Sequence, residues 1–247
     1  MEGKGKMEFF ANEGKQVEIE VGEEIFLRHA IRTRFITPQD HYIDILKEYA
    51  ASIYQDGDLV SISEKIISIC QNRIVKREDM KIGFWANFLS KFASRTSPAG
   101  IGVGMPIKMQ YAIDKVGLCR ILLASIIGGI FKLFGKKGVF YKIAGQEVSG
   151  LDGFDDRVWK EYKDIGIEIP CNSRAVCNEI KDKLGISCMI VDSNELGQEI
   201  LGKSADIQWD DETLKQIIRD NPAGQGQYLT PMILIRRGEK CDSAKIA

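Results

Sequence analysis

Three short polar clusters, each directly after an apolar run, contain side chains that could carry chemistry. They are Ser63-Glu64-Lys65, the acids Asp152, Asp155 and Asp156, and Asp192-Ser193-Asn194. Carboxylates fixed at strand ends can bind Mg²⁺ or Mn²⁺, which take oxygen ligands and leave coordination positions for water and phosphate oxygens. A lysine and glycine-flanked backbone amides can complete a phosphate site. Turns and helix caps use the same residue types, so each cluster alone also fits a purely structural role.

Other kinds of site have few residues available. The six cysteines form no CxxC pair and the chain has two histidines, so a metal would be bound mainly by oxygen. Neither His29 nor His41 has a serine or cysteine partner in a triad motif, which argues against a hydrolase triad. The segment from Gly100 to Gly104 has neither GxxxxGKS/T nor GxGxxG spacing, so a P-loop or Rossmann site is not indicated.

Composition favours a globular protein that binds polyanions only through a local site. The 247 residues are 44% hydrophobic and 28% charged, which fits one large domain or two small ones sharing a core. Lys plus Arg is 34 and Asp plus Glu is 35, so no global positive field attracts nucleic acid or anionic lipid, and we expect neither nucleic acid nor membrane as a partner. The first six residues lack an apolar signal core and the cysteines fit reduced core positions, so the predicted location is cytoplasmic.

Residues 121–131 form the most apolar stretch and are bounded by Arg120 and Lys132. Eleven residues are too few for a membrane span, which needs about 20. We expect a buried helix, or a helix followed by a turn, in the core or in a subunit interface. A peripheral membrane contact is the alternative.

Apolar periodicity, with capping and turn residues, predicts a mixed set of strands and helices. Strands are predicted at residues 17–21, 25–28, 59–63, 140–144, 186–191 and 232–235, and helices at 38–54, 174–184 and from 210 through 217 to 220. Thr37, Ser173 and Asp210 are the expected helix caps. Because strands and helices do not alternate regularly, the pattern predicts a single α+β unit over residues 1–247, with mixed or antiparallel sheets and packed helices. It leaves room for a smaller subdomain around residues 95–150.

Residues 57–68 read Gly-Asp-Leu-Val-Ser-Ile-Ser-Glu-Lys-Ile-Ile-Ser. This segment resembles a motif of the coenzyme factor 420 γ-glutamyl ligase family. Further resemblances follow in order over most of the chain, at residues 32–36, 144–152, 189–193, 224–226 and 230–236. Asp152 and Asp192 lie 40 residues apart, close to the interval in that family. The motifs are moderately specific together and weak singly.

The resemblance implies a γ-glutamyl ligase-like α+β fold, a homodimer, and a ligase that uses GTP and Mg²⁺ or Mn²⁺. Such an enzyme joins an amino acid, glutamate, to a small-molecule carboxylate, which in the family is a deazaflavin. Lys65 is then the catalytic lysine that positions the phosphates. The implied metal ligands are Asp152, Asp192, Ser193 and Gln225. The implied nucleotide-binding residues are Thr33, Arg34, Ser63, Glu64, Lys65, Asp155, Gly224, Gln225 and Gly226.

The chain also departs from the family pattern. Residues 67–72 lack a lysine of the family motif, and residues 194–197 lack the arginines that follow the second aspartate. Three alternatives therefore stay open: a ligase acting on a carboxylate other than a deazaflavin, a nucleotide- or metabolite-binding homologue without ligase activity, and a purely structural oligomer.

Overall fold

The computed structural model describes residues 7–93, 96–97, 100–136, 138–155, 159–194, 197–224 and 226–238. Over these residues the chain has the mixed α+β class that the sequence predicts, with a six-stranded sheet, smaller sheets and packed helices. The chain divides into two units, one made of Met1–Asn72 and Pro170–Ala247 and the other of Arg73–Ile169. The second unit includes the range, residues 95–150, where the sequence leaves room for a subdomain.

The first unit is built on six strands: β1 (Glu18–Val21), β2 (Glu24–Ile31), β3 (Leu59–Ser63), β9 (Cys188–Asn194), β10 (Gly197–Lys203) and β11 (Met232–Arg237). They form one sheet in the order β1-β2-β11-β3-β9-β10. Strands β3 and β9 are parallel, whereas β11 runs antiparallel to both β2 and β3, and β10 runs antiparallel to β9. The carboxyl ends of β2, β3 and β9 therefore meet at one edge of the sheet.

Helices α1 (Tyr42–Tyr49), α2 (Glu64–Cys70), α8 (Ser173–Leu184) and α9 (Asp211–Ile217) belong to the same unit. Leu214 and Ile217 of α9 pack on alternate residues of the central strands, among them Leu59, Val191 and Ile233. Since side chains alternate along a strand, this one-sided core fixes which residues of β3 and β9 share a face.

Two of the predicted helices of this unit are confirmed, with differences at their ends. Asp210 caps α9 by accepting a hydrogen bond from the Thr213 amide at 2.7 Å, as the sequence predicts. Helix α8 ends at Leu184 and is capped by Gly185, whose φ of +71° suits glycine. The prediction that Ser173 caps this helix is wrong, because Asn172 holds the cap position and Ser173 is the first helical residue.

The predicted helix at residues 38–54 is shorter, and the prediction that Thr37 caps it is wrong. Helix α1 starts at Tyr42, with the His41 imidazole accepting a hydrogen bond from the Ile43 amide at 3.2 Å. Asp40 instead binds the amide of Thr37 at 2.7 Å, and its carboxylate also pairs with Arg34. These contacts hold residues 37–40 in a turn.

Arg28 of β2 lies on the α9 side of the sheet and is 2% exposed. Its guanidinium pairs with both carboxylate oxygens of Asp220, just beyond α9, and donates to the carbonyl oxygens of Gln16 at 2.7 Å and Ile217 at 3.0 Å. A buried cation is tolerated only when it is paired and hydrogen-bonded. This pair therefore fixes the end of α9, and the loop after it, to the second strand.

The second unit contains a small antiparallel sheet, in the order β4-β8-β7, and several helices. Its strands are β4 (Ile74–Lys76), β5 (Thr96–Ser97), β6 (Gly100–Ile101), β7 (Asp152–Gly153) and β8 (Ile165–Ile167), and its helices are α3 (Phe84–Ser90), α4 (Pro106–Val116), α5 (Leu118–Leu133), α6 (Val139–Ala144) and α7 (Gln146–Ser149). Single 3₁₀ turns lie at Arg77–Asp79 and Lys160–Tyr162. Helices α3 to α7 share a core that includes Ala86, Met109, Ile121 and Ala144.

One carboxylate ties the two ends of this unit together. Glu168 pairs with Arg73 at 3.0 Å and Lys115 at 2.7 Å, and it accepts a hydrogen bond from the Tyr111 hydroxyl at 2.8 Å. Burial raises the pKa of the Tyr111 phenol, and the bond to Glu168 raises it further. The charge of Lys115 is therefore engaged within the unit.

One sequence prediction in this unit is wrong. Residues 140–144 form helix α6 rather than a strand, because Phe140 packs against α5 at Gly128, where an added Cβ would lie 3.1 Å from the Phe140 Cβ. The apolar stretch is a helix as expected, but within the unit only Ile121 and Ala124 of α5 are buried. Leu123 is 53% exposed and Ile126 is 62% exposed. Packing on one side of α5, rather than its overall hydropathy, decides its burial.

Among the described residues, no single helix has both the length and the apolar character needed to cross a membrane. Helices α4 and α5 reach that length and hydropathy only as a pair, and the pair is bent by 119°.

We predict that Asp220→Asn lowers the free energy of unfolding at pH 7 by about 2 to 3 kcal/mol, because it leaves the Arg28 charge buried without its counter-ion. Burial opposes ionisation of Asp220, but the bonds from Arg28 outweigh it, so the pKa lies below its ordinary 3.8. The stabilisation from ionised Asp220 is complete at pH values above the carboxyl pKa of the unfolded chain. It is lost as the pH falls through the lower carboxyl pKa of the folded protein. Urea denaturation should therefore show the deficit of the variant narrowing below about pH 4.

The matched control is Glu212→Gln, which removes an exposed ion pair with Lys215 on α9. It should change the free energy of unfolding by less than about 0.5 kcal/mol. Equal effects of the two substitutions would show that the Arg28 pair has no special role.

Candidate functional site

The predicted site residues of the first unit gather at the sheet edge where β2, β3 and β9 end, which we call the carboxyl edge. Ser63, the last residue of β3, is in register with Val191 of β9, one residue before Asp192. The Ser63 amide donates to the carbonyl oxygen of Pro231 at 2.9 Å, just before β11. Glu64 and Lys65 follow directly as the half-buried first turn of α2. Ligands of sheet proteins commonly lie at such an edge.

The sequence pattern predicts that the strand ends at residue 191, with Asp192 and Ser193 in a turn after it. The structure instead places both residues inside β9. Strand β9 continues because β10 pairs with it, and Asp192 is directly opposite Glu199. In an extended strand, Asp192 and Ser193 point to opposite faces of the sheet. A single ion can therefore bind the side-chain oxygen of Asp192 or that of Ser193, but not both. The other residue could contribute only its backbone carbonyl oxygen.

The two faces at this edge carry different chemistry. Asp192 and Glu199 share one face, where residues directly opposite each other place their Cβ atoms about 5 Å apart. Ser193 and Ser63 lie on the other face, that of Val191 and Leu59. The Ser193 Oγ is buried and has no hydrogen-bond partner in the described part of the chain. A buried hydroxyl without a partner is uncommon and indicates a position where a ligand oxygen or amide can bind.

Thr33 and Arg34, after the end of β2, are already engaged with neighbouring groups. The Thr33 amide donates to the Leu229 carbonyl at 2.8 Å, and its hydroxyl donates to the Arg34 carbonyl at 2.8 Å. Arg34 forms two hydrogen bonds with the carboxylate of Asp40, at 2.5 and 2.8 Å. The guanidinium holds the pKa of the Asp40 carboxyl well below its usual range. Half of the Arg34 side chain stays exposed, so a ligand phosphate would have to share it with Asp40.

The loop after α9 is anchored at the same edge by a buried amide. Asn12 donates from Nδ2 to the carbonyl oxygens of Pro222 at 2.9 Å and Ala223 at 3.0 Å, and to the Thr230 hydroxyl at 2.8 Å. Gly224 has a φ of +74°. An added Cβ would lie 2.9 Å from the Tyr228 ring at Gly224 and 2.8 Å from it at Gly226. The two glycines thus allow the loop to close over Tyr228, and the predicted ligand Gln225 lies outside the described residues.

The other predicted acids, Asp152 and Asp155, lie in the second unit. Asp152 is exposed in β7, opposite Ile167, and its Oδ1 accepts a hydrogen bond from the Gly153 amide at 2.7 Å. The Asp155 amide donates to the Tyr162 carbonyl at 3.2 Å. Asp156 lies outside the described residues. The structure therefore brings together the predicted residues of the first unit, and it places Asp152 in the small sheet of the second unit and Asp155 just after strand β7.

Within the described ranges, no cluster of three or more His, Cys, Asp or Glu side chains has metal-binding geometry. Asp192 and Glu199 are the acidic pair at the carboxyl edge, and two carboxylates suit a hard divalent cation that keeps water or phosphate oxygens as its other ligands. Carboxylate oxygens are the type of ligand that Mg²⁺ and Mn²⁺ prefer, and Asp192 and Glu199 would supply two of the ligands of such an ion.

Sequence reasoning missed Glu199 and Asn12. Glu199 follows Gln198 in β10, and only the pairing register of β9 with β10 shows that it faces Asp192. Asn12 lies more than 200 residues from the loop that it holds. Neither residue carries a local pattern that distinguishes it from a surface residue.

No protein-family model matches this chain, and no curated protein sequence matches it significantly.

We predict that Gly226→Ala lowers the free energy of unfolding by about 1 kcal/mol or more, because the new methyl group collides with the Tyr228 ring. In the Tyr228→Ala background the same substitution should be nearly neutral. Urea denaturation of the four proteins of this double-mutant cycle gives the coupling.

Gly129→Ala serves as the control, since a Cβ at Gly129 in α5 has nothing within 4 Å. It should stabilise the protein slightly, as expected for an exposed helix position. If Gly226→Ala lowers the free energy of unfolding equally in both backgrounds, the contact with Tyr228 is not the reason that position 226 requires glycine.

Proposed function

We propose that this protein is a GTP- and divalent-metal-dependent ligase that joins an amino acid, L-glutamate, to a small-molecule carboxylate through an acyl phosphate. The proposal combines the resemblance to the coenzyme factor 420 γ-glutamyl ligases with one structural observation. Three groups that are far apart in sequence lie at one edge of one sheet: Ser63-Glu64-Lys65, Asp192-Ser193, and Gly224 with Gly226. A cytoplasmic homodimer is part of this proposal.

In the proposed reaction, an oxygen of the acceptor carboxylate attacks the γ-phosphorus of GTP and GDP leaves. The amine of the amino acid then attacks the acyl carbon, the C–O bond to the phosphate breaks, and inorganic phosphate and the amine proton leave as the amide forms. A bound Mg²⁺ or Mn²⁺ would neutralise charge on the phosphoryl group, and Asp192 with Glu199 are the described residues that would hold it. In phosphoryl transfer, positioning and electrostatic stabilisation supply most of the barrier reduction.

The residues of this chain have separate parts in that positioning. The Lys65 ammonium, in the first turn of α2, would contact phosphate oxygens. The backbone around Gly224 and Gly226 would surround the phosphates, with Asn12 fixing the loop from behind. The Ser193 Oγ, which is buried and has no partner among the described residues, would bind a ligand atom on the other face of the sheet.

A second candidate function is a nucleotide-binding protein without ligase activity. The observation that favours it is the paired state of Arg34, whose guanidinium is held by Asp40. An arginine that must share its charge contributes less to transition-state stabilisation than one aimed only at the phosphates.

We predict that GTP with Mg²⁺ or Mn²⁺ binds the parent protein and that Asp192→Asn weakens this binding strongly while leaving the fold intact. The side chain lies at the end of the sheet and is partly exposed, and asparagine has nearly the same size and shape as aspartate. Isothermal titration calorimetry gives the affinity. For the parent, metal and GTP at 100 times Kd should also add about 2.7 kcal/mol to the free energy of unfolding.

Asp182→Asn on the exposed side of α8 is the matched control and should bind GTP as the parent does. Lys65→Ala should weaken GTP binding by about tenfold or more, as expected when a phosphate contact is removed. If Asp192→Asn binds metal and GTP as tightly as the parent, the metal assignment is wrong. If the parent binds no GTP, the ligase proposal is wrong.

A further inference from the structure

Positive charge is concentrated in one segment of the second unit. Residues 80–146 contain ten Lys and Arg residues and one acid, Asp114, although the whole chain has a net charge of −1. The described lysines of the segment at positions 81, 91, 132, 136 and 142 are exposed. The remainder of the chain is correspondingly acidic. The near-neutral total thus hides a strongly cationic surface segment, which the overall composition does not indicate.

The same segment contains nearly all exposed large apolar side chains. Of the twelve such side chains in the described part of the chain, eleven lie between residues 82 and 134. They are Ile82, Phe84, Trp85, Phe88, Phe92, Leu123, Ile126, Ile130, Phe131, Leu133 and Phe134. Single exposed apolar residues are normal, but a concentration of this kind marks a surface that binds a partner or a membrane.

Helix α3 and the residue that follows its cap present an aromatic stripe. Phe84, Phe88 and Phe92 recur every four residues, and their rings contact in sequence, with centroids 6.0 and 5.2 Å apart. Phe84 is 72% exposed and Phe92 is 69% exposed. The opposite side of the helix, with Ala86 and Leu89, packs into the core of the unit. The stripe is therefore not needed to hold α3 in place.

Helix α5 shows the same two-sided arrangement. Ile121 and Ala124 pack into the core, while Ile126, Ile130 and Leu133 are exposed. Exposed lysines follow at its end, and the Lys136 ammonium lies 5.7 Å from the centroid of the Phe131 ring. Apolar side chains ending in lysines are typical of helices that lie in a membrane interface, with the ammonium groups at the headgroup level.

We propose that the exposed faces of α3 and α5 dock on the surface of an anionic lipid bilayer. The charge of the segment decides between possible occupants. A second copy of the same surface would bring two strongly cationic segments together, whereas anionic headgroups complement them. Helix α5 has 16 residues, a length of about 24 Å, so it lies along the interface rather than across the hydrocarbon core. This inference does not depend on the proposed ligase activity, and it departs from the expectation of no membrane partner.

The test is co-sedimentation of the full chain with phosphatidylcholine vesicles that contain or lack phosphatidylglycerol. We expect binding to the anionic vesicles, at least about tenfold weaker binding to the neutral ones, and release by high salt. Lys132→Glu with Lys136→Glu should lower the partition coefficient by roughly 30-fold or more, the factor that corresponds to about 1 kcal/mol for each lysine lost near the surface. The control, Lys47→Glu with Lys160→Glu, makes the same change in net charge at exposed positions outside the segment and should bind as the parent does.

A second pair of variants tests the apolar contribution. Ile126→Ser with Ile130→Ser alters exposed positions only, so the fold should persist while vesicle binding falls by about tenfold or more. Phe10→Ser alters the exposed large apolar side chain that the described residues place outside the segment, and this variant should bind as the parent does. Absence of binding to anionic vesicles would overturn the proposal. So would a dimer in analytical ultracentrifugation that Ile126→Ser with Ile130→Ser converts to monomers, because a second copy would then be the occupant.

Discussion

The buried guanidinium of Arg28 and its partner Asp220 determine how the carboxyl edge is assembled. Arg28 is inside the core on β2, so its charge must be matched there, and Asp220 supplies both carboxylate oxygens at the point where α9 ends. After Asp220, a short loop runs from Asn221 through the glycines, and the chain then returns as β11. Asn12 holds that loop from the N-terminal segment. One ion pair thus sets where α9 stops and where the glycine loop begins.

The pairing register of the sheet supplies the rest of the candidate site. Because β3 and β9 are parallel neighbours, Ser63 and Asp192 come to the same edge although they are far apart in sequence. The hairpin of β9 and β10 adds Glu199 across from Asp192. Each face of the sheet then has its own polar groups, carboxylates on one and serine hydroxyls on the other. This division favours a ligand that extends past the edge and contacts both faces, as a nucleotide with a bound cation would.

Local patterns in the sequence are sufficient for some elements and fail for others for identifiable reasons. The cap at Asp210, the end of α8 at Gly185 and the strand at residues 59–63 depend on neighbouring residues, and they are confirmed. Residues 140–144 have strand-forming side chains, yet their packing against Gly128 makes them helical. Asp192 resembles a turn residue, but the pairing with β10 extends the strand through it. Likewise, the hydropathy of α5 does not show which of its sides packs within the unit, and its packing partners cover one side. Long-range contacts decide all three cases, and no window of local sequence contains them.

Hydrogen–deuterium exchange with and without GTP and Mg²⁺ shows directly whether the carboxyl edge of the first unit binds a nucleotide with a divalent cation. We expect slower exchange in three separate segments, at residues 63–65, 192–193 and 226–230, when both GTP and Mg²⁺ are present, and little change with GTP or Mg²⁺ alone. Exchange that stays the same in all three segments with GTP and Mg²⁺ at saturating concentration, or protection confined to residues 73–169, would contradict binding at this edge.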